Sequence, residues 1–356
     1  MTILITGICG FVGSTVARAL QEQLEGVEIL GIDNFSRCGA YENRQSLKAR
    51  GIKVHAGDIR NVSDVEALPR ADWVVDAAAN PSVLAGVDGQ TGPRQLLEHN
   101  LYSTVNLLEY CRHHGSGFLL VSTSRVYSVN TLAEVPVGAG SSSFIIDGSG
   151  DLPTGFSTQG IAESFSTSAP VSLYGASKLA SETLALEYSE AYGFPVWINR
   201  CGVLAGAGQF GRPDQGIVSF WINSWLGRHP LKYIGFGGTG HQVRDCFHPR
   251  DLSRLLVQQM EFSGGERRRV INLGGGLGNA FSLLELSQWC EAQIGPHEVQ
   301  SSQEARPYDA PWIVMDNAVA EAEWGWSPEI SAVDIFQETL EHGRNNPDWL
   351  HVSGVR

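Results

Sequence analysis

Positive charge is scarce in this chain: 25 Lys and Arg stand against 38 Asp and Glu, a net charge of -13. An acidic surface of this size argues against general binding to nucleic acid or to anionic membranes, so any anionic ligand must find a local basic site. Long apolar runs are also missing. None approaches the roughly 20 residues that span a bilayer, and the opening Thr2–Thr6 is too short for a secretory signal and already strand-like. The expected location is the cytoplasm. Cys9, Cys38, Cys111, Cys201, Cys246 and Cys290 are scattered without paired metal spacing, so they read as reduced thiols and no metal is expected. The pair His113-His114 sits where a helix ends and is favoured by the helix dipole, and it too suggests no metal. There is no internal repeat.

The chain does contain a regular alternation of apolar strands and helical patterns. Thr2 to Thr6 reads as a buried parallel strand, followed at once by Gly7-Ile-Cys-Gly10-Phe-Val-Gly13 and a helical pattern through Leu20. Glycines in such a turn let the backbone approach a pyrophosphate, while the helix N-terminus offers free N–H groups and a positive dipole. A second strand, Val27 to Ile32, ends at Asp33. An acidic side chain there bonds an adenine ribose and repels a 2′-phosphate, which favours NAD over NADP. Arg37 nearby is the feature that would accommodate that phosphate, and a plain turn role for Asp33 also fits.

Further strands are expected at Lys53 to His55, Trp73 to Asp76 and Phe118 to Val121, separated by helices. This pattern means α/β architecture with a doubly wound parallel sheet. Ala77-Ala78-Ala79 leaves room at a strand end, and Ser122-Thr123-Ser124-Arg125 brings hydroxyls to the same edge. From Ser128 to Val171 the periodicity vanishes in a Gly/Ser-containing stretch, expected to be a functional lid or mobile. Helix Tyr174 to Tyr192 and a strand near Pro195 to Asn199 follow. The alternation stops after Gly206. Residues 1–200 form the expected cofactor domain, with part of 241–274 returning to it; 201–345 form a smaller domain and 346–356 a peripheral tail. Trp221 and Trp225, at helical spacing, are expected in a core or subunit contact.

Tyr174 and Lys178 lie one turn apart on one helical face. A free phenol, pKa near ~10, is a poor base at neutral pH, and a fixed cation beside it favours the phenolate. Alone, Tyr-x-x-x-Lys also fits a solvated helical face.

Together with the Gly7 to Gly13 turn, Asp33, Asp58, Asn100 and Thr123 four residues before Tyr127, this pair resembles the extended short-chain dehydrogenase/reductase family. Arg244-Asp245, Asn272-Leu-Gly-Gly-Gly276, Arg306-Pro-Tyr-Asp309 and Trp326-Ser-Pro328 resemble the C-terminal signatures of its nucleotide-sugar epimerases and dehydratases. The resemblance implies a Rossmann-type sheet with a smaller C-terminal α/β substrate domain, NAD as cofactor, and a homodimer or homotetramer. It implies a catalytic set of Thr123, Tyr174 and Lys178. Cofactor contacts are implied at Gly7, Gly10, Phe11, Val12, Gly13, Asp33, Asn34, Asp58, Ile59, Ala78, Ala79, Asn100, Ser122 and Cys201, besides Tyr174 and Lys178. Substrate contacts are implied at Gln209, Arg244, Arg306 and Asp309, with Arg212 a weaker candidate. Family dehydratases carry Asp-Glu directly after the threonine; Ser124-Arg125 stands here, which removes the usual acid and base for eliminating water. Gln209-Phe210, Asp214-Gln-Gly216 and the run ending Val243-Arg244-Asp245 are most similar to the CDP-paratose 2-epimerase branch. Val203 and Ala205-Gly206 depart from the family pattern in the sugar pocket. A UDP-sugar 4-epimerase, a dehydratase or reductase, and a non-catalytic dinucleotide-binding protein are the alternatives.

Overall fold

A computed structural model describes residues 1–87, 89–148 and 150–355. Five strands arise where the sequence is most continuously apolar: β1 (Thr2–Thr6), β2 (Glu28–Asp33), β3 (Lys53–Ala56), β4 (Trp73–Asp76) and β5 (Gly117–Thr123). Strands Val196–Cys201 and Val270–Leu273 extend them into a seven-stranded parallel sheet of order β3-β2-β1-β4-β5, Val196–Cys201, Val270–Leu273. The order reverses between β1 and β4, and open α/β sheets bind ligands in the crevice at such a switch point.

Both faces of the sheet are covered, which is why its strands lack an alternating pattern. Ile3 and Ile5 of β1 pack with helix α1 (Phe11–Gln23) and with Leu252, Leu255 and Leu256 of helix Pro249–Glu261. Leu4, on the opposite face, packs with Leu107 and Leu108 of helix Ser103–His114 and with Ala185. Each fully buried Leu or Ile contributes roughly 1.5–3 kcal/mol. Glu22 pairs with Arg250 at 2.9 Å, and Gln23 bonds Ser253 at 2.7 Å, so helix Pro249–Glu261 packs on α1, and the strand after it lies in the same sheet.

The helical segment before β5 is interrupted: Pro93–Leu97 runs through a π-turn, Glu98–Tyr102, into Ser103–His114. A smaller unit gathers around Trp221, Trp225, Ile335 and Leu340, with strands Val203–Leu204, Val243–Phe247, Ala280–Ser282 and Trp312–Ile313 in one sheet. Trp221 and Trp225 are core residues of this unit.

The described residues of the 128–171 stretch are folded. They form a hairpin, Val137–Ala139 with Phe144–Ile146, and a short pair, Phe156–Ser157 with Gly160–Ile161. Phe156, Ile161 and Phe165 bury against Trp312, Val314 and Met315 of the smaller unit. Irregularly spaced apolar residues build this core, so periodicity could not reveal it. The 346–356 segment also packs inward: Trp349 is buried, stacked on Phe210 with ring centroids 5.2 Å apart. Among the described residues, no helix is long and apolar enough to cross a membrane.

Candidate active site

The carboxyl ends of β1, β2, β4 and β5 open into a cleft with a cavity volume of about 420 Å³, closed on the far side by the smaller unit. Its dinucleotide end is built by the glycine turn. Gly7 has φ +59, and a Cβ there would come within 2.9 Å of Ala78 Cα; one on Gly13 would lie 2.8 Å from Ile8 Cα. The chain can thus fold tightly against the start of α1 only without side chains at these positions. α1 begins with no side-chain cap and no acidic residue in its first turn, leaving its N–H groups and dipole for an anion.

Asp33, at the end of β2, accepts bonds from the Cys9 and Phe35 N–H groups, each at 2.8 Å. Burial pushes its carboxyl up while these bonds pull it down. Arg37 also lines the cleft and donates to the Phe210 carbonyl at 2.5 Å. Asp58 pairs with Arg60 at 2.6 Å and accepts from Asn34 at 3.1 Å; the Arg60 bonds hold it well below the usual carboxylate range. Thr6 donates to Asp76 at 2.7 Å and accepts from the Ala78 N–H at 3.1 Å, which fixes the small-residue wall of Ala77 to Ala79.

Of the expected cofactor contacts, Gly7, Gly10, Phe11, Val12, Gly13, Asp33, Asn34, Asp58, Ile59, Ala78, Ala79, Ser122, Tyr174 and Cys201 line the cleft. Asn100 and Lys178 lie behind that lining. Asn100, in the π-turn, bonds both backbone groups of Asn80, accepting from its N–H at 2.8 Å and donating to its carbonyl at 3.0 Å; it also donates to Ser177 at 3.3 Å. Its side chain holds the wall, where a direct cofactor contact was expected. Ser122 faces the lining too, but its hydroxyl donates to Glu182 at 2.5 Å.

Tyr174 is buried at the start of helix Ser172–Tyr192, where the Ser172 hydroxyl accepts from the Gly175 N–H at 3.1 Å. Thr123 and Tyr174 both line the cleft. Burial pushes the phenol up to about 12, while the Thr123 hydroxyl and the Arg125 charge oppose that rise. The expected cation, Lys178, lies one turn further along the helix; burial lowers it, and Asp76 and Glu182 favour its charged form. Arg125 is a further cation whose charge acts on the phenol, and its only mark in the sequence is that it displaces the dehydratase pair.

Arg244 donates to Asp309, to the Ala310 carbonyl at 2.8 Å and to its own neighbour's Val243 carbonyl at 2.5 Å. Arg306 lines the same wall. Gln209 donates to the Leu204 carbonyl at 2.8 Å, which orients its amide and leaves the buried Oε1 without a donor; the Oε1 of Gln242, also in the lining, is equally unpartnered. Arg212 bonds the Ser353 carbonyl at 2.9 Å and does not line the cleft. Among the described residues no cluster of His, Cys, Asp and Glu is suited to a metal.

A profile of the NAD dependent epimerase/dehydratase family matches residues 3–274. The chain belongs to that family. It is 29% identical to the CDP-paratose 2-epimerase of Salmonella typhi over 349 residues, covering 96% of this chain and 98% of that one. It is 26% identical to the UDP-glucuronate 4-epimerase of Thermodesulfobacterium geofontis, covering 96% of each. Among solved structures, the UDP-glucuronic acid 4-epimerase of Bacillus cereus in complex with UDP-glucuronic acid and NAD superposes with a TM-score of 0.78 at 26% identity, over 97% of this chain and 99% of that one. The family is NAD-dependent, and the side-chain-free cradle at Gly7 and Gly13, the uncapped helix start and the Asp33 carboxylate fit NAD.

Proposed function

We propose that this protein epimerises a nucleotide-linked sugar, acting on a CDP-sugar in the manner of a CDP-paratose 2-epimerase. The observation that carries the reading is that Thr123 and Tyr174 line one cleft with the dinucleotide cradle, with Ser124 and Arg125 where an eliminating enzyme needs an acid and a base. Thr123 would hold the reacting sugar oxygen and Tyr174 would take its proton, giving a keto-sugar; the sugar turns, and Tyr174 returns the proton. Bound NAD supplies the reversible hydride acceptor. Lys178 would orient the nicotinamide ribose. Proton transfer of this kind contributes about 10²–10⁴-fold. Arg306 and the Arg244–Asp309 pair would anchor the nucleotide while the sugar swings, and Gln209 Oε1 would accept a substrate donor. A homodimer or homotetramer is part of the proposal, checked by light scattering.

A UDP-sugar 4-epimerase is the second reading, favoured by the likeness to the Bacillus cereus enzyme. Incubation with CDP- and UDP-sugars, with product stereochemistry followed by NMR, separates the two. Turnover of UDP-glucose with no CDP-sugar turnover overturns the CDP reading, and stoichiometric NADH formation overturns epimerisation itself.

A further inference from the structure

Four charged side chains meet at the wall facing Tyr174: Arg125, Arg244, Arg306 and Asp309 all line the cleft. Their roles separate on inspection. Arg244 is already neutralised by Asp309, and its guanidinium is further engaged by two backbone carbonyls. Arg125 and Arg306 form no ion pair among the described residues. Arg125 has one protein acceptor, the Tyr308 carbonyl, at 3.3 Å.

That carbonyl is offered by a backbone in an unusual state. Tyr308 has φ +55, a left-handed conformation that a bulky residue adopts only where its surroundings impose it, often at ligand clamps. Arg125 itself is held at the other end. Its N–H donates to the Thr123 hydroxyl at 3.1 Å, and its carbonyl fills the space that a Cβ on Gly175 would need, so it is locked between the reactive threonine and the Tyr174 helix. Two guanidinium groups in one wall without carboxylate partners repel each other and pay a desolvation cost, which a bound anion relieves.

We propose that Arg125 is a substrate-binding residue, which together with Arg306 compensates the two negative charges of the substrate's diphosphate and holds the phosphate nearest the sugar. This rests on the nucleotide-sugar reading of the cleft, and it adds a residue from the catalytic strand end to the anchoring wall. The placement matters because Arg125 is two residues from Thr123: a phosphate fixed there sets how far the sugar can travel when it turns over the reacting centre. The guanidinium fork suits phosphate oxygens, and a lysine offers the charge without the fork.

The test is titration calorimetry of the NAD-loaded protein with cytidine mono- and diphosphate, and with the two uridine nucleotides in parallel. Arg125→Gln is expected to weaken the diphosphate by about 10- to 100-fold and the monophosphate by less than about threefold, as fits loss of one charge-assisted bond. Arg125→Lys should recover part of the difference. Should the Gln variant fail to fold, Arg125→Met, which keeps the buried stem, takes its place. An unchanged diphosphate affinity, or equal losses for both phosphates, overturns the proposal. Preference for the uridine series would instead overturn the CDP reading and leave the phosphate comparison intact.

Discussion

Arg200 and Glu182 form an ion pair of 2.7 Å, buried directly behind the reactive strand end. Glu182 also accepts the Ser122 hydroxyl, while the Arg200 guanidinium lies 5.2 Å from the Tyr127 ring centroid. The pair therefore ties β5, strand Val196–Cys201 and helix Ser172–Tyr192 together. Glu182→Gln leaves a buried guanidinium without its counter-charge and is expected to cost about 3–5 kcal/mol in urea unfolding, whereas replacing both partners by Leu and Met costs less. Equal losses for the single and double variants would count against the pair.

Tyr174→Phe should lower turnover by about 10²–10⁴-fold with NAD binding unchanged. The pH dependence of the phenol has a definite sign. Burial raises the folded phenol from its ordinary value near 10 to about 12, so the neutral form is favoured by the fold. That stability is fully present below pH 10 and is lost as pH rises through about 12. In cofactor-free protein, the absorbance of this phenolate, read as the difference from Tyr174→Phe, should appear only near that upper value; titration near pH 10 would contradict the burial seen here.

Asp245 offers a second pH test. Burial pushes its carboxyl up to about 6, although its Oδ2 accepts from the Gly276 and Met315 N–H groups at 3.0 and 3.2 Å; its Oδ1 has no partner. A carboxyl raised from 3.8 favours the fold when protonated, and that contribution is lost as pH rises through about 6. Asp245→Asn, which cannot ionise, should therefore compare better with the parent at pH 8 than at pH 4.5 in chemical unfolding. A gap that does not change with pH would show that the acid is not buried in its charged form.

The parts legible in the sequence were those with local causes. The glycine turn, the apolar strands and the Tyr174–Lys178 spacing each follow from a short stretch of chain, and β1 to β5 lie where the pattern puts them. What escaped depends on partners far apart in sequence. Glu182 meets Arg200 across 18 residues and Ser122 across 60, and nothing in its helical neighbourhood marks it out. Arg125 has its one side-chain acceptor in the Tyr308 carbonyl, 183 residues away. Asn100 was marked by the family resemblance alone, and its bonds to the Asn80 backbone come from a π-turn that has no signature periodicity detects. The 128–171 stretch hid its core for the same reason: its apolar residues are ordered by contact with Trp312 and Met315.

The C-terminal segment carries the last prediction. Trp349 stacks on Phe210 and donates its ring N–H to the Gln209 carbonyl at 2.8 Å, while His342 meets its other edge with ring centroids 4.4 Å apart. Gln209 and Phe210 line the cleft, and Arg37 bonds the Phe210 carbonyl, so this tryptophan braces the wall that carries the unpartnered Gln209 oxygen. Trp349→Ala should cost up to about 3–5 kcal/mol of stability, since it opens a cavity where an indole was buried. Trp349→Phe keeps the stack and loses only the hydrogen bond, about 1 kcal/mol. Because the proposed function puts this wall against substrate and away from the reacting atoms, both variants should raise KM more than they lower kcat, in the same order as their stability losses. A fall in kcat at constant KM would place the tail's influence on the Tyr174 end of the cleft instead.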